Sequence, residues 1–409
     1  MSIFAGDGGR ALQQRISAQR DDAVALLQDL VRIPSITGDE ANVGRFVTDF
    51  IRSMGLEVEV LEAAPGRPNL VATWDSGKPG PTLLLNDHLD IIPPGPLEYW
   101  THPPFAADIA DGMVYGRGTI DTKSGVTTLL MATRALRQSG LPIHGKLRLV
   151  FTCDEEVGGE FGAQYVGKLG YFNADMALVA EPTSLQVEIA TKGRLNIEVT
   201  TRGVATHGAR PWLGHNAIED MMLVIQRLQV LYQQIRTREK HPLLGLGALN
   251  IGIIEGGTVP NMVPNKCRME VDRRVLPSEE PAQALQEFQQ ILDELQREHP
   301  KLDASVKQLL WWPGYEVSPD AQIVRVTCRA FEKVTGRTPN VVGKDAGTDA
   351  SWISKLGGTP VVMFSPGDGP RAMNADESVR IDDLITATQV VGQVLYDVLA
   401  VADDANAAR

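Results

Sequence analysis

Residues 82–93 read TLLLNDHLDIIP, where the apolar run Thr82–Leu85 gives way to imidazole and carboxylate side chains. Two further short apolar runs, Leu147–Thr152 and Met176–Ala180, also end at polar residues, and a helical stretch, Ser124–Gln138, separates the first run from the second. Short apolar strands that alternate with helices are typical of a mostly parallel sheet with helices on both faces. The sequence therefore predicts an α/β fold.

The middle of the chain has a different pattern, which predicts a small α+β unit in the order strand, helix, strand, strand, helix. Its elements are Arg194–Thr201, Asn216–Arg236, Ala248–Ile254, Lys266–Val275 and Pro281–Arg297. The helical spacing of residues 10–33 and 40–54 precedes this unit, and the α/β pattern returns from Trp311, with a helix predicted at Ile381–Ala400. We therefore predict a larger α/β domain in two parts, 1–190 and 306–409, interrupted by an inserted α+β domain at 191–305.

The bulk composition excludes several classes of function. The chain has 409 residues, a formal net charge of -12 and a pI near 5.1, and no basic stripe offsets that balance, so nucleic acid is not an expected partner. Its three cysteines are scattered, which is typical of free thiols in a reducing compartment. The N-terminus lacks a secretory pattern and no run of 18 apolar residues occurs, so we expect a cytoplasmic protein that does not contact membrane.

Acidic and imidazole side chains follow the predicted strands. His88 and Asp90 follow the first apolar run, Asp154–Glu156 follow the second, Glu181 follows the third, and Asp121 comes just before a helix. These clusters fall where the carboxyl ends of parallel strands form the ligand-binding rim of an open sheet. Each alone would suit a surface loop, but carboxylates beside buried strands are costly unless they are paired or bind metal. Together they predict a site for a divalent cation such as zinc, cobalt or manganese.

Several motifs carry a resemblance to a known family between about Ala23 and Leu384. The pairs His88–Asp90, Glu155–Glu156 and Glu181–Pro182 and the segment Gly116–Lys123 match its motifs, and further segments look alike at 203–219, 256–265, 272–277 and 347–350. The chain resembles the two-zinc aminoacylase and deacetylase group of metallopeptidases, which includes acetylornithine deacetylase, succinyl-diaminopimelate desuccinylase, aminoacylase-1 and glutamate carboxypeptidases. The resemblance implies a catalytic metal-binding α/β domain and an inserted lid and dimerisation domain.

The same resemblance implies roles for the metal ligands. His88 and Glu181 would hold one metal ion, Asp121 would bridge it to a second, and Glu156 would bind that second ion. The peptide bond between Asp121 and Thr122 would be cis. Because bound metal lowers the pKa of water and polarises a carbonyl, this ligand set is typical of hydrolysis.

Two further acids would assist the reaction. Asp90 would hold the His88 ring from behind, as carboxylates behind metal ligands commonly do. Glu155 would be the general base that deprotonates the attacking water and then carries the proton to the leaving nitrogen.

In the inserted domain, His207 would reach a neighbouring active site as an oxyanion donor, and Asn261 would assist it. Arg274 would bind a substrate carboxylate through its planar fork. Each residue also has a plain structural interpretation, since His207 is close to a helix start and Arg274 is two residues from Asp272. Both interpretations stay open at this stage.

The chain departs from the family pattern at its last metal ligand. Met373 stands where the family has a histidine, in the stretch AMNADE, and no histidine follows His299. A thioether is a poor ligand for zinc or manganese, so we predict one tightly bound ion per subunit, unless Asn374 or Asp376 substitutes. Ser351 and Ser365 also differ from the usual residues, so the familiar substrates are not assumed.

Three functions remain in view. The first is a metal-dependent hydrolase that cleaves an amide-type C–N bond in a small carboxylate-bearing substrate, such as an N-acyl amino acid. The resemblance implies that such an enzyme is a homodimer. The second is a hydrolytic deaminase with a single metal, acting on an amino-substituted aromatic acid. The third is a catalytically silent binding homologue, which the retention of Glu155 argues against.

Overall fold

The structure is a computed structural model that describes residues 4–400. Its helices are α1 Phe4–Ala18, α2 Arg20–Arg32, α3 Ala41–Ser53, α4 Ser124–Ser139, α5 Ala163–Lys168, α6 Ala217–Arg236, α7 Pro281–Glu298, α8 Gln322–Thr335, α9 Asp349–Gly357 and α10 Ile381–Leu395. Its strands are β1 Glu59–Glu62, β2 Pro68–Asp75, β3 Thr82–His88, β4 Ile109–Ala110, β5 Met113–Tyr115, β6 Lys146–Thr152, β7 Met176–Val179, β8 Val187–Thr191, β9 Gly193–Arg202, β10 Ala248–Gly256, β11 Lys266–Val275, β12 Asp303–Trp312, β13 Tyr315–Glu316, β14 Val341–Lys344, β15 Val361–Met363 and β16 Ser378–Arg380.

The chain divides into two compact units. Of the described residues, unit 1 comprises 4–189, 317–342 and 348–400, and unit 2 comprises 190–316 and 343–347. The inserted domain was predicted to end at residue 305, whereas unit 2 continues to residue 316, because β12 pairs along its length with β9. The expected lid and dimerisation roles of the inserted domain remain predictions.

Unit 1 is built on a mostly parallel sheet, as predicted. Its strands lie in the order β1-β2-β6-β3-β7-β15-β8, and the adjoining strands β6, β3, β7 and β15 are parallel. The central strand β3 is buried along nearly its whole length because its apolar side chains face helices packed around the sheet. Helix α4 is one of the helices that cover the sheet. It ends at Ser139, and the next residue, Gly140, adopts the left-handed conformation that is common after the end of a helix. The parallel strands therefore end at one common edge.

Unit 2 is a four-stranded antiparallel sheet with two helices. The strand order is β10-β11-β9-β12, and β11 alternates buried and less buried residues, which is typical of a sheet with one covered face. Helix α6 begins at Asn216, whose side chain accepts hydrogen bonds from the backbone of Ile218 and Glu219. The core contains apolar side chains of α6, α7 and the sheet, among them Val224, Phe288 and Met269.

No helix within residues 4–400 combines the length and apolar character needed to cross a bilayer.

Candidate metal centre

Three ligand atoms meet at the common edge of the parallel strands. His88 is the last residue of β3, and Glu181 follows the end of β7, so neighbouring strands deliver both side chains to one place. The Nε2 atom of His88 lies 3.0 Å from Asp121 Oδ1 and 3.8 Å from Glu181 Oε1. One ligand atom from each of the three residues lies within 4.8 Å of the other two.

The spacing and the chemistry of these atoms suit a divalent cation. Ligands about 2.1 Å from a tetrahedral ion lie roughly 3.4 Å from one another, and the observed separations of 3.0 and 3.8 Å bracket that value. One imidazole nitrogen with carboxylate oxygens is a donor set that zinc, cobalt and manganese accept. Several carboxylates in one buried place also need a compensating positive charge. The residues therefore fit a bound metal.

The imidazole of His88 is held in the orientation that a ligand needs. Its Nδ1 lies 3.0 Å from the main-chain carbonyl oxygen of Asp90. A carbonyl can only accept, so Nδ1 carries a proton, and Nε2 is the ring atom that is directed to Asp121 and is available to a metal ion. The Asp90 carboxylate, predicted to hold this ring, lies 3.5 Å from Nδ1. The carbonyl of Asp90 therefore makes the closer contact.

The carboxylate of Asp90 instead fixes the turn that follows β6. Its two oxygens accept the backbone N–H groups of Glu155 and Glu156, at 3.0 and 3.2 Å, and the Thr37 hydroxyl at 2.8 Å. Hydrogen bonds to the charged form, with His88 contributing most, lower the pKa of Asp90 even though burial alone would raise it. Asp90 thus joins the ring of His88 to the acidic pair.

The acidic pair Glu155–Glu156 borders the three ligands. Glu155 Oε2 lies 4.0 Å from His88 Nε2. Burial raises the pKa of the Glu155 carboxyl well above its ordinary value, and the nearby Glu181 raises it further. Burial also raises the pKa of Glu156, with Asp121 as the largest charged contributor. Glu155 is therefore buried and Glu156 half-buried beside the three residues, and neither belongs to that group.

The loop that carries Asp121 is fixed by an acid that the sequence did not single out. The peptide bond between Asp121 and Thr122 is cis, as the resemblance implied. Glu377 is buried, and its Oε1 accepts the backbone N–H groups of Ile120 and Asp121 at 2.8 and 3.2 Å. Its Oε2 accepts from Arg117 at 2.5 Å. No sequence signal marks this role, because Glu377 is 256 residues from Asp121.

Asp87 is a second buried acid near the site that was not predicted from the sequence. Asp87, next to His88, accepts a hydrogen bond from the Thr122 hydroxyl at 2.6 Å. Burial raises the pKa of Asp87 well above its usual value. In the sequence, only its place in the motif NDHLD connects Asp87 with the site. Because Asp87 is close to the end of a strand, the sequence pattern did not predict which way its side chain points.

The segment that lacks the family histidine is anchored by other contacts. Met373 has a backbone φ of 67°, its side chain is 47% exposed, and its carbonyl oxygen accepts from Arg117 at 3.0 Å. Asp376 Oδ1 accepts the backbone N–H groups of Thr101 and His102 at 2.8 and 3.0 Å. The Asp376 carboxylate is therefore already engaged by the loop at residues 101–102.

The other predicted site residues belong to unit 2. The backbone of His207 bridges to Met262, and the Gly208 N–H donates to the carbonyl of Asn261 at 2.8 Å, so the segments of His207 and Asn261 are adjacent. The side chain of His207 is exposed, and its Nδ1 accepts the Ala209 N–H at 3.1 Å.

Arg274 forms the ion pair with Asp272 that the sequence left open. Arg274 Nε lies 3.0 Å and one Nη also 3.0 Å from the Asp272 carboxylate. Its other Nη donates to the main-chain oxygen of Asp345 at 3.3 Å. Most of the guanidinium donors are therefore already directed to protein acceptors.

Comparison with known proteins agrees with this geometry. A family model described as peptidase family M20/M25/M40 matches residues 84–397. The chain belongs to this family. An acetylornithine deacetylase from Myxococcus xanthus is 32% identical over 340 residues, covering 82% of this chain and 85% of the relative. A succinyl-diaminopimelate desuccinylase from Hydrogenovibrio crunogenus is 26% identical and covers 92% of this chain and 99% of the relative.

A further relative and a solved structure also match this chain. An N-formyl-4-amino-5-aminomethyl-2-methylpyrimidine deformylase from Halalkalibacterium halodurans is 24% identical, with coverage of 94% of this chain and 96% of the relative. A metallo-carboxypeptidase of the M20 family from Sulfolobus solfataricus has the same fold, with a TM-score of 0.79 at 20% identity and coverage of 91% of this chain and 98% of that one. The predicted family, fold class and metal-dependent hydrolysis of an amide-type C–N bond are confirmed.

Proposed function

We propose that this M20 enzyme removes an acyl group from the nitrogen of a small carboxylate-bearing substrate, as an N-acyl amino acid deacylase does. The observation that carries the proposal is the meeting of His88, Asp121 and Glu181 within 4.8 Å, with Glu155 Oε2 at 4.0 Å from His88 Nε2. The printed names of the relatives, a deacetylase, a desuccinylase and a deformylase, support acyl removal.

The proposed reaction assigns the proton to Glu155. A divalent ion held by His88, Asp121 and Glu181, when bound, lowers the pKa of a water molecule and polarises the scissile carbonyl. Glu155 accepts a proton from the attacking water and gives it to the nitrogen as the C–N bond breaks. The Asp90 carboxylate accepts the backbone N–H of Glu155 at 3.0 Å, so the main chain that carries this base is held in place.

A panel of substrates tests this function. The metal-loaded protein is incubated with N-formyl, N-acetyl and N-succinyl amino acids, with the same compounds blocked at the carboxylate, and with amino-substituted aromatic acids. We expect release of the acyl acid and the free amino acid, and little turnover of the blocked compounds. Release of ammonia without an acyl acid would replace the deacylase by the deaminase, and no turnover of any compound would reject both.

We further propose that the subunit holds one tightly bound ion. The second position would have only Asp121 and Glu156, because Met373 supplies no imidazole and Asp376 is engaged by two backbone N–H groups. Metal analysis of the purified protein should give about one ion of zinc, cobalt or manganese per chain. Met373→His should raise this value towards two, and two tightly bound ions in the unaltered protein would contradict the proposal.

The residues of unit 2 are proposed to serve the substrate. Because Nδ1 of His207 accepts the Ala209 N–H, the neutral ring carries its proton on Nε2, which suits an oxyanion donor assisted by Asn261. We propose that Arg274 binds the substrate carboxylate through the second N–H of the Nη that also donates to the Asp345 carbonyl oxygen. Arg274→Gln should then raise KM with kcat nearly unchanged. A loss of thermal stability with an unchanged KM would instead assign Arg274 to its ion pair alone.

We propose a cytoplasmic homodimer as the working form. All three cysteines are free thiols, which supports a reducing compartment. Strand β10 is an edge of the unit 2 sheet, and Ile253 and Ile254 on it are 43% and 53% exposed, so a second copy could pair with this edge. Light scattering should give twice the chain mass of 44.4 kDa, and Ile254→Lys should shift the mass to one chain. A single-chain mass for the unaltered protein would exclude the dimer.

A further inference from the structure

One arginine in unit 1 joins two separate acidic residues behind the metal centre. Arg67 donates from Nε and Nη2 to the two carboxylate oxygens of Glu40, at 2.6 and 2.8 Å. The same Nη2 also donates to Asp154 Oδ1 at 2.6 Å. The side chains are 13%, 0% and 4% exposed, respectively, and the guanidinium lies over the Phe161 ring. The three side chains are therefore almost fully removed from water, and the one guanidinium donates to both carboxyl groups.

Asp154 is the residue on which the acidic turn depends. It directly precedes Glu155 and has a φ of 69°, a left-handed conformation that side chains other than glycine rarely adopt. Its Oδ2 accepts the Phe161 N–H at 3.0 Å, and its carbonyl oxygen accepts the Gly159 N–H at 2.8 Å. With Oδ1 held by Arg67, the Asp154 side chain is fixed at both oxygens. The direction in which the chain enters Glu155 is therefore set by these bonds.

We propose that Arg67 is a positioning residue, which holds Asp154 so that the following turn presents Glu155 to the reacting water. The inference rests on the proposed function of Glu155 as general base. Arg67 acts through Asp154 and is not among the three residues that meet at the metal centre. Two sides of the turn are then constrained, because Asp90 holds the backbone N–H of Glu155 and Arg67 holds the residue before it.

A lysine cannot replace Arg67 in this role. The guanidinium is a planar fork that reaches both Glu40 oxygens while one Nη is shared with Asp154, whereas an ammonium is a point charge. We therefore expect Arg67→Lys to lower kcat roughly 10- to 100-fold, the range seen when residues behind a catalytic or metal-binding group are altered. KM and the metal content should stay unchanged, because the ligands and the substrate groups are not touched.

Two more variants protect the test against a simple folding failure. The double variant Glu40→Gln with Arg67→Gln removes the charges of both residues and the ion-pair partner of Asp154, and its melting temperature is measured beside kcat to show that it is folded. Asp154→Asn keeps the size of the side chain but removes its charge and one of its two acceptor oxygens, which weakens its hydrogen bonds to Arg67 and Phe161. Both should lower kcat with KM unchanged. Arg52→Gln, on the exposed end of α3 with Asp49 at 4.0 Å, is the matched control and should behave like the unaltered protein.

Chemical rescue separates positioning from a general loss of structure. In Arg67→Gly, millimolar guanidinium should restore part of kcat, whereas the same concentration of urea or ammonium should not. Folded variants that retain full kcat, or an effect confined to KM or metal content, would overturn the inference. These outcomes are distinct from a failure of the proposed function, in which the unaltered protein would hydrolyse none of the N-acyl amino acids.

Discussion

Replacing Glu155 by glutamine keeps the volume of the side chain and removes the base. Loss of a positioned general base costs about 10²- to 10⁴-fold in rate, which corresponds to roughly 3 to 5 kcal/mol at about 1.36 kcal/mol per tenfold. The metal should remain bound, because Glu155 is outside the group formed by His88, Asp121 and Glu181. Since Glu181 raises the pKa of Glu155, a neutral amide also removes a like charge from a buried cluster, so the thermal stability should not fall.

The assay combines steady-state kinetics on an N-acyl amino acid with metal analysis of the same sample. Glu160→Gln is the matched control, because Glu160 is exposed on the same acidic loop. We expect Glu155→Gln to lower kcat at least 100-fold with the metal retained, and the control to retain full activity. Turnover within threefold of the unaltered protein would refute the role of Glu155 as base. Loss of activity together with the metal would show that Glu155 is a ligand instead.

Three further changes should have equally direct effects. Removal of the metal by a chelator should abolish turnover and lower the melting temperature, and zinc, cobalt or manganese should restore both, as calorimetry and an activity assay would show. Glu279→Ala should lower the free energy of unfolding in urea by about 3 kcal/mol or more, because it leaves the fully buried guanidinium of Arg273 without its partner at 2.8 Å. Gly125→Ala should cost about 1 to 3 kcal/mol by the same measurement, because the new methyl group would lie 2.2 Å from the Ala180 carbonyl oxygen.

The buried strands could be predicted from the sequence, whereas the mostly exposed strand β12 could not. Strands β3, β6 and β7 are covered on both faces, so they appear in the sequence as short apolar runs. Strand β12 lies at the edge of the unit 2 sheet, and most of its residues are exposed or half-exposed. Its polar residues interrupt the apolar pattern from which a strand would have been predicted. The stretch predicted as helical at residues 10–33 is two helices that separate at Gln19, which carries no glycine or proline signal.

The meeting of the candidate ligands His88, Asp121 and Glu181 was predictable for a related reason. Each follows a recognisable buried strand or begins a helix, so the topology of a parallel sheet implied that they meet. The residues behind them gave no such signal. Arg67 and Glu40 lie in polar loops and look like surface residues, and Arg67 is 87 positions from Asp154. Only the folded chain brings these charges together, because hydrogen bonds between distant loops leave no periodic pattern.

Met373, at which the resemblance implied a histidine ligand, lies in a segment that still supports the proposed metal site. Four residues later, Glu377 still accepts the backbone N–H groups of Ile120 and Asp121 and pairs with Arg117. The segment therefore retains its structural contribution, which is to fix the loop that carries Asp121, while its side chain at Met373 is free to change. If one ion is bound as proposed, Glu377 would keep its site in order by fixing the loop of Asp121.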